Sequence, residues 1–309
     1  MSGTPTVNAA SDAPRNVLGA VLLASSWIFF TTEMVTTRIL AENLSIAQIG
    51  IFRLGFQAVV LLPVIAFTAG AVLKTSRFPL HFVRAIFSAG GMVLFYLAFA
   101  LLPLATATTL TFTVAIWLTI FAALFLGETV GIRRKVSVMV GLIGVLVVMR
   151  PGLIAIDVGM VAAVAGAIVA ALLMITTRSL GATEGRLTIM SYSALLGLVF
   201  LAVPAALTWQ PIATREEWLL LALVGAAGTT GQFMMVWAFQ IGEASALAPV
   251  DYVRLVFALI AGYVVFSEIP DIWTWLGAAI IIASTLYTTY RERIIARRQR
   301  KERADGTPA

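Results

Sequence analysis

The sequence contains no cysteine, a single histidine and few charged residues. Of its 309 residues, 12% are Asp, Glu, Lys or Arg, which is about half the share found in ordinary soluble domains. The absence of cysteine excludes disulfides, thiol nucleophiles, iron–sulfur clusters and thiolate zinc sites. With His81 as the only histidine, mechanisms that need two imidazoles are excluded as well. No cofactor is therefore expected.

Hydrophobic residues are correspondingly abundant, at 60% of the chain. A water-soluble globule with this composition would expose large apolar patches, because it has too few charges to cover its surface. The composition excludes an ordinary soluble enzyme, a disordered protein and a fibrous protein. It predicts a protein whose natural solvent is the lipid bilayer.

Ten segments are apolar enough and nearly all long enough to cross a membrane. A spanning helix needs about 20 mostly apolar residues, because each residue adds about 1.5 Å across a hydrocarbon core of about 30 Å. The connectors are short, so neighbouring helices are expected to run antiparallel. The predicted spans are 17–38, 46–72, 80–102, 104–126, 135–150, 155–177, 187–208, 217–240, 244–267 and 272–290.

Lysine and arginine positions predict how these spans are oriented, because cytoplasmic segments carry the excess of both residues. With both termini in the cytoplasm, sixteen of the 21 lie in inside segments, seven of them in the tail after residue 290, and only Arg38, Arg150 and Arg215 lie outside. The basic tail is expected to contact anionic lipid head groups. Since orientation explains these charges, nucleic-acid binding is not expected.

The chain aligns with itself when residue 34 is set against residue 174, and we call this displacement the repeat offset. Residues 34–40, Met-Val-Thr-Thr-Arg-Ile-Leu, recur at 174–180 as Met-Ile-Thr-Thr-Arg-Ser-Leu. Each half then holds five spans, and since five is odd, the second half must enter the membrane from the opposite side. We therefore predict an all-α integral membrane protein of ten transmembrane helices, arranged as two inverted-topology five-helix repeats, an architecture of many secondary transporters. The expected units are a disordered lead (1–16), two repeats (17–150 and 155–290) and a basic tail (291–309).

Several short motifs at the span ends resemble those of one family. With two five-span halves, the chain resembles the drug/metabolite transporter superfamily, and within it the ten-span EamA family, over residues 17–290. This resemblance implies secondary-active movement of small organic metabolites across the bacterial inner membrane, in either direction. Members of the family handle amino acids, purines, riboflavin, S-adenosylmethionine and metallophores. The motifs are 126–128 (Leu-Gly-Glu), 266–268 (Phe-Ser-Glu), 99–105 (Phe-Ala-Leu-Leu-Pro-Leu-Ala) and 150–152 (Arg-Pro-Gly).

Four ionisable residues fall inside predicted spans, where a charge costs roughly 3 kcal/mol on insertion scales. Glu33 and Arg53 reach a similar depth on adjacent spans, so an ion pair is expected, either as scaffold or as part of a substrate site. Asp251 and Arg254 are three residues apart and share one helical face. Pro249 precedes them and is expected to free a backbone carbonyl. This pair has no counterpart in the first half, which favours it as the substrate site.

Aromatic residues near the middle of spans are further candidates for the substrate site. Trp27, Tyr96, Phe112 and Tyr252 could line a cavity that stacks a flat substrate, although interfacial or lipid-facing positions are the usual explanation for such residues. The carboxylates that the repeat retains, Glu128 and Glu268, are expected to be structural. Each precedes a helix whose free N–H groups it could satisfy.

These features favour a secondary transporter of a small metabolite in the bacterial inner membrane, as a monomer or a homodimer. The substrate class expected is amino acid, flavin, nucleoside or sulfonium metabolite. A passive channel or a structural membrane subunit is the alternative. An intramembrane enzyme is much less favoured, because aspartyl proteolysis needs two intramembrane aspartates and only Asp251 qualifies, and no zinc-binding H-E-x-x-H is present.

Overall fold

The structure is a computed structural model, and it describes residues 9–126, 132–150, 156–181, 183–241, 247, 250–284, 286–287 and 290. Within these residues all regular structure is helical. Two short 3₁₀ helices, Ala71–Leu73 and Val250–Tyr252, accompany the α-helices. The α-helices are α1 (Ala9–Leu40), α2 (Ile46–Phe67), α3 (Phe78–Leu101), α4 (Leu104–Thr111), α5 (Val114–Leu126), α6 (Ile132–Met149), α7 (Val158–Gly181), α8 (Arg186–Leu207), α9 (Arg215–Ile241), α10 (Val253–Phe266) and α11 (Ile272–Ser284).

Seven segments among the described residues are long and apolar enough to cross a membrane. They are α1, α2, α3, α7, α8, α9 and the pair α4–α5 taken together. Shorter apolar helices occur at Val136–Met149 and Ile272–Ser284. The all-α membrane class is thus confirmed, whereas the count of ten spans stays a prediction.

Two helices differ from the sequence-based expectation. The fourth span, predicted as one helix over 104–126, is interrupted at Phe112 and Thr113. The first helix begins at Ala9, so residues 9–16 of the expected disordered lead are helical, while residues 1–8 lie outside the described part.

The helices pack in a pattern that repeats when the two halves are exchanged. Helices α2 and α8 begin and end at positions related by the repeat offset, and they pack against each other. Under the same offset α1 corresponds to α7, α3 to α9 and α5 to α10. In agreement, α1 packs along α9 as α3 packs along α7, and α1 contacts α10 as α7 contacts α5. The packing is what a duplicated chain with approximate two-fold symmetry would give.

Candidate functional site

Two interruptions of helical structure come together inside the bundle. One separates α4 from α5, and the other is the 3₁₀ turn that precedes α10. The rings of Phe112 and Tyr252, one from each interruption, lie 5.1 Å apart between centroids. The repeat offset relates these two residues, so equivalent points of the two halves meet here. Interrupted helices of this kind line the binding sites of many transporters, because they leave backbone groups and side chains free to face a cavity.

Threonine side chains explain the first interruption. The hydroxyls of Thr111 and Thr113 donate to the carbonyl oxygens of Thr108 and Leu110, each at 2.7 Å. The backbone N–H of Thr113 also donates to Leu110, three residues back instead of four. Hydroxyls that bond backward to helix carbonyls bend helices and favour 3₁₀ geometry. The sequence shows the threonines, but their apolar setting concealed the break.

Arg254, in the first turn of α10, lies among aromatic rings at this point. The carbon at the centre of its guanidinium is 3.8 Å from the ring centroid of Phe112 and 5.1 Å from that of Trp27 on α1. Both distances are within the range of cation–π attraction. Phe112 is 4% exposed, and the Arg254 side chain is 15% exposed. The rings therefore stabilise a cation that is largely removed from solvent.

Polar groups around Arg254 retain unused hydrogen-bonding capacity. Its Nε lies 3.8 Å from Oδ2 of Asp251, close enough for an ion pair but too far for a hydrogen bond. Nε of Arg254 and the indole Nε1 of Trp27 are both buried without a hydrogen-bond partner. Buried donors are normally satisfied. Two unsatisfied donors beside flat rings could receive the acceptor groups of a bound molecule.

Glu33 and Arg53 form a second, separate cluster, and the expected ion pair is present. Arg53 Nε donates to Glu33 at 3.3 Å, and the hydroxyl of Tyr96 also donates to that carboxylate. Glu33, Arg53 and Tyr96 are each buried, at 7%, 8% and 4% exposure. Gly228 on α9 permits the close packing, since a Cβ there would lie 2.7 Å from the carboxyl of Glu33.

The guanidinium of Arg53 is nearly saturated with acceptors. It also donates to the side-chain oxygens of Gln57 and Gln232, the latter at 2.7 Å, and to the carbonyl of Gly228 at 3.3 Å. A fully bonded buried network fixes helix positions, and little capacity remains for a ligand. Sequence reasoning missed Gln57 and Gln232, although a glutamine inside a span is itself a signal.

The structure thus divides the predicted site residues into two groups. Asp251, Tyr252, Arg254, Trp27 and Phe112 lie together, while Glu33, Arg53 and Tyr96 lie in the bonded network. Whether either group binds substrate stays a prediction. Pro249 and Glu128 lie outside the described residues.

Glu268 is structural in a way that differs from the expectation. It satisfies a helix N-terminus, but that of α4 in the other half, accepting the backbone N–H of Leu104 at 2.9 Å. Its other oxygen accepts a hydrogen bond from Arg38 at the end of α1. The backbone of Ser267, with φ of 55°, turns the chain so that the carboxylate points back into the bundle. The repeat had retained both residue types, but their pairing across halves was missed.

A second ion pair joins the ends of α6 and α11 on the same side. Arg150 contacts Asp271 at 2.6 Å, and the backbone N–H of Thr274 donates to that carboxylate at 2.8 Å. Burial alone would raise the pKa of Asp271. The hydrogen bonds from Thr274 and the positive charge of Arg150 outweigh burial and hold this pKa below its ordinary value.

Comparison with known proteins supports a transporter. The sequence model of the EamA-like transporter family matches residues 17–150 and 157–290, so the repeat offset relates the two matches at both of their ends. The S-adenosylmethionine uptake transporter of Rickettsia bellii is 32% identical over 84% of this chain and 89% of its own length. The riboflavin transporter of Vibrio cholerae is 29% identical over 74% of this chain and 77% of its own. A solved crystal structure with 17% identity, covering 92% of this chain and 99% of its own, superimposes with a TM-score of 0.62 and has the same fold.

Proposed function

Because this chain belongs to the EamA-like transporter family, we propose that it is a secondary-active carrier. It moves a small organic metabolite across the bacterial inner membrane by alternating access between its two halves. The observation that carries the proposal is the cluster around Arg254, a charge enclosed by aromatic rings where the interruptions of both halves meet. Intramembrane charge is a functional signal by default, and the point between two repeats is where carriers bind substrate.

The chemistry of the cluster favours a ligand with a flat ring and an acceptor group. The free N–H groups of Arg254 and Trp27 suit a carboxylate or a ring carbonyl, while Phe112 and Tyr252 offer faces for stacking. Asp251 suits a cationic group on the same ligand. S-adenosylmethionine and riboflavin, named for relatives of this chain, both contain flat nitrogen-containing rings, so sulfonium metabolites, flavins and nucleosides come first and amino acids next.

Counterflow in proteoliposomes tests the function. Compounds from these classes are first screened for a thermal shift of the purified protein, and those that bind are then loaded inside vesicles. A carrier is expected to exchange external labelled compound for internal unlabelled compound, since the loaded carrier reorients. A passive channel, the second candidate function, would equilibrate the compound without such stimulation. Absence of both binding and flux for every class would contradict the proposal.

We expect both termini to be cytoplasmic and residues 150–155 to be periplasmic, on the basis of lysine and arginine positions. Single cysteines introduced at Arg303 and Ile154, positions outside the described residues, report this directly because the chain has no other thiol. An impermeant maleimide should label each from the opposite side of the membrane. Labelling of both from one side would overturn the inverted arrangement.

A further inference from the structure

The two ends of the bundle differ where the repeat would make them alike. The first turn of α2 and the last turns of α3 meet at one end, and their equivalents in α8 and α9 meet at the other. In the proposed orientation the first meeting point is periplasmic, and we name it the outer seam (46–50 with 92–97). The second is cytoplasmic, and we name it the inner groove (186–190 with 232–237). The repeat offset relates the two.

The outer seam is closed by apolar packing. Ile49 and Tyr96 are buried in one cluster, at 0% and 4% exposure, with Ile46 and Met92 packed against it. At Gly50 a Cβ would lie 2.9 Å from the side chain of Met92, so α2 approaches its neighbour as closely as a residue without a side chain permits. Water has no path between the helices here.

The inner groove is open. A cavity of about 320 Å³ separates the first turn of α8 from the end of α9, between Met190 on one side and Val236 on the other. Phe233 and Trp237 along its wall are 54% and 45% exposed. Arg186 lies at the groove and is exposed.

The inner groove also lies next to the polar interior. The carbonyl of Met190, one of its lining residues, accepts a hydrogen bond from Gln57 at 3.4 Å. Gln57 and Gln232 both bind Arg53, and Gln232 is one helical turn from Val236. A molecule in the groove is therefore separated from the buried network by a single layer of side chains.

A polar contact reinforces closure at the outer end. Arg38 and Glu268 form an ion pair, with side chains 22% and 15% exposed. Arg38 also donates to the carbonyl of Leu102 at 3.3 Å and lies over the ring of Phe266 at 4.4 Å, while Glu268 caps α4 at Leu104. This latch (Arg38 with Glu268) joins α1 and the start of α4, from the first half, to the end of α10, from the second.

We infer that the chain is held here in its inward-open state, with the inner groove as the cytoplasmic mouth of the transport path and the latch as the periplasmic gate. The inference rests on the proposed function. An inverted repeat exchanges the conformations of its halves during alternating access. An outer seam that is packed and an inner groove that is parted are the two forms of one contact, and the latch stabilises the form seen.

Accessibility of single cysteines tests the mouth, because the chain has no native thiol. Leu187→Cys and Trp237→Cys lie in the inner groove, and the matched controls Ala47→Cys and Leu97→Cys lie at the equivalent positions of the outer seam. In inside-out vesicles an impermeant maleimide should label the groove positions. In right-side-out vesicles the seam positions should react at least about tenfold more slowly, since a minor state is populated at roughly 10% or less.

The gate is tested by weakening the latch in the same cysteine backgrounds. Glu268→Gln removes the ion pair, and Arg38→Gln removes it while leaving the Glu268 carboxylate on Leu104, so one variant remains if the other fails to fold. Either should raise periplasmic labelling of the outer seam and lower cytoplasmic labelling of the inner groove. Asp271→Asn, which weakens the neighbouring Arg150 ion pair, should leave the pattern unchanged.

Three outcomes would overturn the inference. Groove positions that do not react would mean that the groove faces lipid, since a water-soluble maleimide does not react there. Seam positions that react from the periplasm as fast as groove positions do from the cytoplasm would mean that no asymmetry exists. A labelling pattern unaffected by either latch variant would mean that the latch is not the gate. Labelling requires no transport, so a chain with this asymmetry but no counterflow would contradict the proposed function alone.

Discussion

Arg254→Gln is expected to abolish uptake and exchange while membrane expression stays near normal. The substitution removes the charge between Phe112 and Trp27 but keeps a polar side chain of similar length. Losing one charged partner of a buried interaction costs about 2–5 kcal/mol, and since 1.4 kcal/mol is tenfold in binding, transport at limiting substrate should fall ~30-fold or more. Expression should survive because Arg254 contributes no hydrogen bond from Nε to the fold.

Asp251→Asn separates two steps of the same cycle. In the loaded carrier the substrate neutralises Arg254, and in the empty carrier Asp251 does so. The variant should therefore retain exchange between two loaded states and lose net flux, which requires the empty carrier to reorient. Counterflow and net uptake measured on the same proteoliposomes distinguish these steps. Arg215→Gln, at an exposed arginine at the start of α9, is the control and should behave as the parent chain.

The result can contradict this assignment in two ways. If Arg254→Gln and Asp251→Asn both transport normally, the substrate site lies elsewhere, and Glu33 with Arg53 becomes the next candidate. If both variants are degraded or fail to insert, the charges are scaffold and the site assignment is wrong.

Arg53→Met is expected to destabilise the protein severely. It leaves the carboxylate of Glu33 buried with only Tyr96 as a hydrogen-bond donor among the described contacts, and it strands the acceptors of Gln57 and Gln232. Removing one member of a buried ion pair typically costs about 3–5 kcal/mol, because the remaining charge is uncompensated. The thermal unfolding midpoint in detergent, followed by tryptophan fluorescence, should fall well below that of the parent chain.

The double variant Glu33→Gln, Arg53→Met is the matched control. Removing the stranded charge should restore part of the lost stability, because replacing both members of a buried pair costs much less than breaking it. If Arg53→Met instead unfolds at the parent temperature and fails only in transport, the network binds substrate and is not scaffold.

Part of the candidate site could be predicted because it is local in sequence. Asp251 and Arg254 are three residues apart, so helix geometry alone places them on one face. Trp27 and Phe112 could be proposed only as mid-span aromatics, since their contact with Arg254 depends on how α1 and the interruption after α4 pack against α10. Tyr96 was placed in the same group from the same signal, and it lies instead on Glu33.

The sequence by itself determined the solvent, the helical class and the duplication, because hydropathy and a constant offset between matching segments are properties read along the chain. It also paired Glu33 with Arg53 from their matching depths. Only the tertiary structure decided that Arg38 meets Glu268 across the halves, that α4 ends at Thr111, and that the outer seam is packed while the inner groove is open. The physical reason is that lipid tails are as apolar as the helix surfaces, so hydrophobicity does not specify which faces meet. Close packing and buried hydrogen bonds between distant helices make that choice.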